Sequence, residues 1–347
     1  MGTIWFCLVA IMIAVYVLLD GFDLGAGAVY LLVAKTDEER RQVLASIGPV
    51  WDGNEVWLLA AGGTLYFAFP ALYASGFSGF YLPLMIVLWL LILRGTSIEF
   101  RNHIKSAVWH PLWDFIFFAS SLLLAVFFGA ALANVVRGVP LDASGYFFEP
   151  LWTNFQLGEE TGILDWYTIL VGVLALLALV LHGSLWVQLK TSGPISVRAA
   201  KLARQIWWGV AAVTAIVTAL TFAVQPQVKE NFTTWPWGFV FPFLAVAGLA
   251  GVQFELIKRD EHKAFLASGG YLTGMLTSVV FGVYPMVLPA RNPIYSFTVN
   301  TAKAADYGLK VGLIWWVLGM ILATGYSVYV YRSFAGKVVV EKDGHGY

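Results

Sequence analysis

Long apolar runs alternate with short polar links along the whole chain. A helix needs about 20 apolar residues to cross the hydrocarbon core of a bilayer. Nine segments satisfy that length, namely 3–33, 49–69, 75–98, 111–136, 164–189, 203–225, 236–257, 264–289 and 307–331. The pattern predicts an all-α integral membrane protein of about nine transmembrane helices, forming a single polytopic membrane domain over residues 1–347.

The composition agrees with a membrane protein and excludes several other classes. Hydrophobic residues make up 59% of the chain and charged residues 12%, whereas soluble domains are about 25% charged. The 21 basic and 21 acidic residues cancel, so no net charge attracts nucleic acid. The single cysteine, Cys7, excludes an intrachain disulfide, a CxxC redox pair and an iron–sulfur cluster held by this chain alone.

Basic residues predict the orientation, because Lys and Arg are enriched in cytoplasmic loops. Sixteen of the 21 follow the first, third, fifth, seventh and ninth segments, whereas the other five are Arg137, Lys229, Arg291, Lys303 and Lys310. We therefore expect the N-terminus outside and the C-terminus in the cytoplasm. Because no Lys or Arg precedes Lys35, the first apolar run lacks the basic start of a signal peptide and is interpreted as a permanent span. Thr36 and Glu39 have the spacing of a capping box and predict a short surface helix in the first cytoplasmic link.

Two carboxylates lie deep in the first predicted span. Tyr16, Asp20, Asp23 and Gly27 are spaced by four, three and four residues, so they share one stripe of a helix. Asp23 lies roughly 17 Å from the predicted cytoplasmic end at about 1.5 Å per residue, close to mid-membrane. Intramembrane carboxylates favour a proton relay or a cofactor contact, and the alternative is a buried polar network that fixes helix register.

The second predicted span carries Asp52, Asn54 and Glu55 in its first turn. This position, about 6–10 Å inside the cytoplasmic end, suits the mouth of a proton path. The alternative is that Asp52 caps the helix while Trp51 anchors it at the membrane interface.

Arg94 is the deepest basic residue of the third predicted span. We predict a structural ion pair between Arg94 and Glu99, with Asp52 or Glu55 as alternative partners. The other interpretation is an arginine that extends its side chain to the interface.

His182 is the one histidine well inside an apolar segment. A haem ligand is one interpretation, and a hydrogen-bonded core residue is the one we favour. No spacing among the other histidines predicts a metal site, and the chain has no phosphate-binding loop or nucleotide fingerprint. The residues themselves leave a transporter, a channel and a subunit of a bioenergetic complex open, and any redox chemistry would need a partner.

Long motifs then resemble a known family. They are Asp20-Gly-Phe-Asp23-Leu-Gly25, Gly48-Pro-Val-Trp51-Asp52-Gly-Asn54-Glu55-Val-Trp57-Leu, Ala60-Ala-Gly62-Gly63, Tyr73 through Tyr81, Arg94 through Arg101, and Trp113-Asp114. In order and spacing they resemble subunit II of the cytochrome bd quinol oxidases. The resemblance is dense over the first third of the chain and weaker beyond it.

The resemblance implies a complex that oxidises membrane quinol, reduces dioxygen to water and takes its protons from the cytoplasm. It implies that the partner, subunit I, binds haems b558, b595 and d, and that this chain binds none of them alone. It implies a prokaryotic plasma-membrane location and a fold of two four-helix bundles plus a peripheral helix. Some members also hold a structural quinone, and a small single-span subunit is a further partner to test.

Residue by residue, Asp52 matches the acid of a proton route, and Trp57 matches a tryptophan near the entrance of an oxygen channel. We group Asp52, Glu55, Asp20 and Asp23 as the predicted proton path. The alternative is a stand-alone proton-coupled secondary transporter that uses Asp20, Asp23 and Asp52 as coupling sites. A third interpretation is a purely structural subunit.

Overall fold

The computed structural model describes residues 1–104, 106–158 and 161–339, and helices dominate them. They are α1 (Gly2–Val33), α2 (Asp37–Ile47), α3 (Trp51–Ala68), α4 (Pro70–Gly79), α5 (Tyr81–Phe100), α6 (Trp109–Arg137), α7 (Trp166–Lys190), α8 (Pro194–Val224), α9 (Pro226–Thr234), α10 (Val240–Lys258), α11 (Glu261–Val283) and α12 (Asp306–Ser333). Short 3-10 helices cover Pro236–Phe239 and Pro293–Tyr295, and strands β1 (Met286–Leu288) and β2 (Phe297–Thr298) pair antiparallel. The predicted all-helical fold is confirmed.

Among the described residues, eight helices are long and apolar enough to cross a membrane: α1, α5, α6, α7, α8, α10 with the turn before it, α11 and α12. The predicted span 49–69 corresponds to α3, which is not one of the eight. Asp52, Asn54 and Glu55 are the reason, because they make the start of this helix strongly polar. The total of about nine membrane crossings therefore stays a prediction.

Helix α3 nevertheless runs antiparallel to α1 over most of the length of α1. Near its start, Asn54 bonds to Asp23, and further along Thr64 bonds to the sulfur of Met12. At its end, Ala68 accepts a backbone hydrogen bond from the residue Ala304, just before α12. The polar start of α3 is therefore carried on a helix that traverses the bundle.

Several predicted boundaries were wrong. The segment 75–98 joins parts of two helices, because the backbone leaves helical geometry at Phe80 between α4 and α5. The segment 264–289 is helical only to Val283, since Pro285 lacks the amide hydrogen that would continue the ladder. Helix α8 begins nine residues before the predicted 203. Its first turns are too polar to be recognised as part of a membrane span.

The long helices form two groups of four, with α1, α3, α5 and α6 in one and α7, α8, α10 and α11 in the other. The groups meet where α7 packs against α1 and α6. At the crossing of α1 and α7, a Cβ on Gly183 would lie 2.1 Å from the carbonyl carbon of Gly25. Such small residues allow two backbones to approach closely. Helix α12 is peripheral, with Leu309 as its only buried residue.

The second helix of each group is interrupted in the same way. Helix α3 ends before Pro70, which begins α4, and α8 ends before Pro226, which begins α9. In both places, the residue before proline leaves the helical region, as proline sterics require. The apolar pattern of the sequence does not reveal this matched pair of breaks, because apolar residues flank Pro70 on both sides.

The helix ends next to the predicted cytoplasmic links lie together, and we call this end of the molecule the basic end. Here Asp114 of α6 accepts hydrogen bonds from Arg40 of α2 and Arg101 after α5. The capping box of α2 is confirmed, since Thr36 and Glu39 bond reciprocally. Which side of the membrane this end faces stays a prediction from charge.

At the opposite end, acidic residues are buried in ion pairs. Glu149 accepts hydrogen bonds from Arg137 and Arg291, each at 2.7 Å, and Arg137 also pairs with Asp165. Burial raises the pKa of Glu149, although the two guanidinium groups oppose the shift. These contacts fix the link between α6 and α7, most of which is irregular.

Candidate functional site

The centre of the site is an ion pair between α5 and α1. Arg94 donates from Nη1 to Asp20 Oδ2 at 3.0 Å and from Nη2 to Oδ1 at 2.5 Å, and neither side chain has any exposed surface. Two parallel hydrogen bonds of this kind are the strongest arrangement of an arginine and a carboxylate. The predicted pair with Glu99 is wrong. Glu99 is exposed five positions further along α5, which turns it to another face of the helix.

A second carboxylate approaches the same guanidinium. Glu55 of α3 places Oε2 at 3.6 Å from Arg94 Nη1. Glu55 is less buried than Asp20, with 23% of its side chain exposed. Arg94 therefore lies between carboxylates of α1 and α3. The sequence analysis named Glu55 as an alternative partner of Arg94, but it did not name Asp20.

Asp23 is held by a hydrogen-bond chain across three helices. Asn54 Nδ2 donates to Asp23 Oδ2 at 2.7 Å, and the Tyr331 hydroxyl of α12 donates to Asn54 Oδ1 at 2.7 Å. The second oxygen of Asp23, Oδ1, is buried and has no hydrogen-bond partner among the described residues. Sequence reasoning missed Tyr331, because nothing in the apolar pattern of α12 separates it from its other tyrosines.

We call Asp20, Asp23, Asn54, Glu55, Arg94 and Tyr331 the buried polar cluster. It brings together three of the four residues predicted for the proton path. The cluster holds three carboxyl groups and one guanidinium, which contacts Asp20 and Glu55, and unpaired charge in a membrane interior is costly. Such a cluster is suited to hold protons, since neutral carboxyl groups need no further cation.

Asp52, the fourth predicted residue, lies outside this cluster. It is exposed in the first turn of α3. Glu55 follows one turn deeper, and a rise of about 1.5 Å per residue separates the two by roughly 4.5 Å along the axis. Asp52 therefore lies between the surface of the chain and Glu55.

Trp57 is half-buried on α3 beside an apolar strip. The neighbouring side chains Val56 and Leu59 are exposed, and a Cβ on Gly63 would meet no atom within 4 Å. The structure thus places Trp57 at the edge of an open apolar face.

His182 is a hydrogen-bonded core residue, as favoured above. Its Nδ1 lies 2.7 Å from Ser268 Oγ and its Nε2 lies 3.1 Å from the Leu18 carbonyl oxygen, while Phe265 stacks on the ring. Both ring nitrogens are occupied by these contacts. Within residues 1–104, 106–158 and 161–339, no group of three His, Cys, Asp or Glu could hold a metal ion.

An apolar cavity of about 380 Å³ lies beside the cluster, between α1, α6, α7, α8 and α11. Tyr16, Phe128, Val171, Thr218 and Met275 are among the residues that line it. Tyr16 lies one helical turn before Asp20 on α1, so the cavity and the ion pair are neighbours.

The eight apolar helices among the described residues, the two four-helix groups and the buried ion pair between α1 and α5 define a polytopic membrane protein with charged groups in its interior. A family model described as cytochrome bd terminal oxidase subunit II matches residues 1–334, and the chain belongs to that family. The resemblance seen in the motifs is confirmed.

Curated relatives match over nearly their whole length. A probable cytochrome oxidase subunit 2 of Haemophilus influenzae is 30% identical, covering 99% of this chain and 97% of the relative. Cytochrome bd ubiquinol oxidase subunit 2 of Bacillus subtilis is 30% identical, with 96% of each chain covered. Cytochrome bd-I ubiquinol oxidase subunit 2 of Escherichia coli is 33% identical, with 97% of this chain and 95% of the relative covered.

The fold is also similar to a chain in the structure of bd oxidase from Geobacillus thermodenitrificans. The TM-score is 0.74 with 18% identity, over 96% of this chain and 98% of that one. At this identity, the likeness shows the fold alone. The apolar helices and the bacterial relatives identify a multi-pass protein of the bacterial plasma membrane.

Proposed function

We propose that this chain is subunit II of a cytochrome bd-type terminal oxidase, which oxidises quinol and reduces dioxygen to water in aerobic respiration. Its partner is a haem-bearing subunit I that holds haems b558, b595 and d, and a small single-span subunit is a further candidate partner. In this proposal, subunit II stabilises subunit I and contributes proton and oxygen paths. Family membership and the buried polar cluster support it.

The exposed face of α3 supports the proposal that subunit I packs against this helix. Asp52, Val56, Leu59 and Gly63 recur at helical spacing and are open on this chain. A carboxylate on a lipid-facing strip would be costly, so this strip is better covered by protein. Gly63 would let a partner helix approach closely.

The buried polar cluster carries the proposal of a proton path. Protons would enter at Asp52, pass to Glu55 one turn deeper, and reach the carboxyl groups around Arg94. Glu55 is the link, because it lies 3.6 Å from Arg94 and is still partly exposed. Asp20 and Asp23 are the inner members of this path.

Asp52→Asn tests the entrance of the path. The variant complex should assemble with normal haem content but turn over more slowly, because an amide does not exchange protons. Quinol-driven oxygen uptake per haem is the measurement, with exposed Asp142→Asn at the opposite end as the matched control. Normal oxygen uptake in Asp52→Asn would refute the proton-path role of Asp52.

Trp57→Ala tests the oxygen path. Dioxygen is apolar and needs only an apolar route, so removing the indole at the edge of the α3 face should change the apparent oxygen affinity. Haem content should stay the same. Trp208→Ala, an exposed tryptophan of α8, is the control, and an unchanged oxygen affinity in Trp57→Ala would count against this role.

The 380 Å³ cavity supports a structural quinone in this chain. Its apolar lining fits an isoprenoid quinone better than a polar cofactor. Thr218→Phe, which places a ring in the cavity, should lower the quinone extracted from the purified complex. An unchanged quinone content would place the quinone elsewhere.

The matched breaks at Pro70 and Pro226 are the one feature shared with the transporter, which is the second candidate. Transporters often bind substrate at paired helix breaks near mid-membrane. Here both breaks lie at the end opposite the basic end, away from the buried carboxyl groups. A chain that purifies without haem or a larger subunit from native membranes would favour the transporter.

A purely structural subunit makes a different prediction from both. Replacing the buried acids would then lower haem content and stability, while turnover per assembled haem stayed constant.

A further inference from the structure

The peripheral helix α12 reaches the buried polar cluster at one residue. Tyr331 lies in its last turn and donates a hydrogen bond to Asn54 Oδ1 at 2.7 Å. We propose that Tyr331 is a positioning residue that holds the Asn54 amide with its NH2 group towards Asp23. The consequence for turnover rests on the proposed proton role of Asp23, whereas the positioning itself does not.

An asparagine amide has a donor end and an acceptor end. Asn54 Nδ2 donates to Asp23 Oδ2 at 2.7 Å and lies 3.4 Å from the Leu19 carbonyl oxygen. The Leu19 carbonyl oxygen can only accept, and Asp23 Oδ2 accepts from the amide here, so the NH2 end faces both. Tyr331 supplies the matching donor on the other side, and the amide is then satisfied at both ends.

Loss of that hydroxyl would leave Oδ1 of a side chain that is only 2% exposed without its partner. A buried acceptor without a donor is destabilised in that position. The amide would then shift, and its hydrogen bond to Asp23 would weaken or lengthen.

Packing does not hold the Tyr331 ring on all sides. The ring borders a second cavity of about 500 Å³, lined also by His182, Trp186, His262 and Phe265. Phe22 is its nearest aromatic contact, with ring centroids 6.5 Å apart. The position of the hydroxyl therefore depends on how the end of α12 is anchored.

That anchor is residues 334–338, which we call the tail clamp. Lys337 Nζ donates to the Thr191 carbonyl oxygen at 2.8 Å and to Glu261 Oε2 at 2.7 Å. Lys190 Nζ donates to the Phe334 carbonyl oxygen, and the Val338 amide donates to the Lys190 carbonyl oxygen. An ammonium group at the C-terminal end of α7 is favourable with the helix dipole. The clamp thus ties the residues after Tyr331 to α7 and α11.

Tyr331→Phe in the intact oxidase complex tests the proposal, because it removes one oxygen and keeps the ring. The direct readout is the infrared difference spectrum of the carboxyl C=O region, with the Asp23 band identified by its loss in Asp23→Asn. We expect that band to shift in Tyr331→Phe and to shift less in Lys337→Met, which loosens the clamp. Tyr307→Phe, an exposed tyrosine in the first turn of α12, should leave it in place.

Turnover is the second readout. The net strength of one neutral hydrogen bond converts to roughly a two- to tenfold fall in kcat, with the KM for quinol and the haem content unchanged. If Asp23→Asn keeps full turnover while Tyr331→Phe still shifts the band, the proton role of Asp23 fails and the positioning stands. If Asp23→Asn is slow but Tyr331→Phe changes neither band nor kcat, the positioning is overturned. Haem loss in both Tyr331→Phe and Lys337→Met would assign Tyr331 to assembly and also overturn it.

Discussion

Arg94→Met should be the most damaging single replacement in the buried polar cluster. It removes the guanidinium that donates two hydrogen bonds to Asp20. Neither side chain of the pair has exposed surface, so water cannot screen the carboxylate that remains. Removing one partner of a buried ion pair costs about 3–5 kcal/mol.

An exposed pair sets the scale for comparison. Arg41 lies 3.5 Å from Asp37, and the two side chains are 31% and 52% exposed. Exposed pairs contribute about 0–1 kcal/mol. Arg41→Met is therefore the matched control, with the same chemical change in water instead of the bundle interior.

The assay is thermal unfolding of the purified complex, followed by loss of haem absorbance and by helical circular dichroism. Arg94→Met should unfold at a clearly lower temperature than Arg41→Met. Adding Asp20→Leu to Arg94→Met should recover much of the loss, since the carboxylate that bonds directly to Arg94 and has no exposed surface is then removed with its partner. A double-mutant cycle measures this coupling.

Two results would refute the reasoning. One is an Arg94→Met complex as stable as Arg41→Met. The other is a double variant less stable than Arg94→Met alone, which would mean that shape rather than charge dominates at this position.

Three further predictions follow from the packing and the ion pairs. Gly183→Ala should cost about 1–3 kcal/mol in thermal unfolding, because its Cβ would meet Gly25, whereas Gly209→Ala has its nearest neighbour at 3.7 Å and should be neutral. Glu149→Gln should cost roughly 3 kcal/mol and speed proteolysis of the link between α6 and α7. Burial raises the pKa of Asp37, but the hydrogen-bonded guanidinium of Arg101 outweighs burial, and the pKa lies below the usual 3.8. Its contribution is therefore present above that pH and lost as the pH falls further, so the protection of the α2 amides, relative to their intrinsic exchange rate at the same pH, should fall in acid, and not in Asp37→Asn.

Local chemistry accounts for what the sequence predicted well. Hydropathy along the chain predicted the membrane helices, because each span must satisfy its own backbone in lipid. The capping box at Thr36 was also predicted, because it depends only on residues three positions apart. The motif from Asp20 to Gly25 was specific enough to indicate the family.

Helix breaks were harder to predict, because apolar composition continues across them. The segment 75–98 reads as one span, although α4 ends and α5 begins within it. The burial of Glu149 in the link between α6 and α7 was also not predicted, because its partners Arg137 and Arg291 lie 12 and 142 positions away in the sequence. The acidic residues at 159 and 160 of the same link lie outside the described residues.

By itself, the sequence determined the class, the helices and the family of this protein, and it singled out the carboxylates of α1 and α3. Only the tertiary structure decided their partners. Arg94 and Asp20 are 74 residues apart, and Tyr331 and Asn54 are 277 apart. Such pairs form because helix packing, including the close approach of α1 and α7, sets which buried faces meet, and a pattern of neighbouring residues does not contain that information.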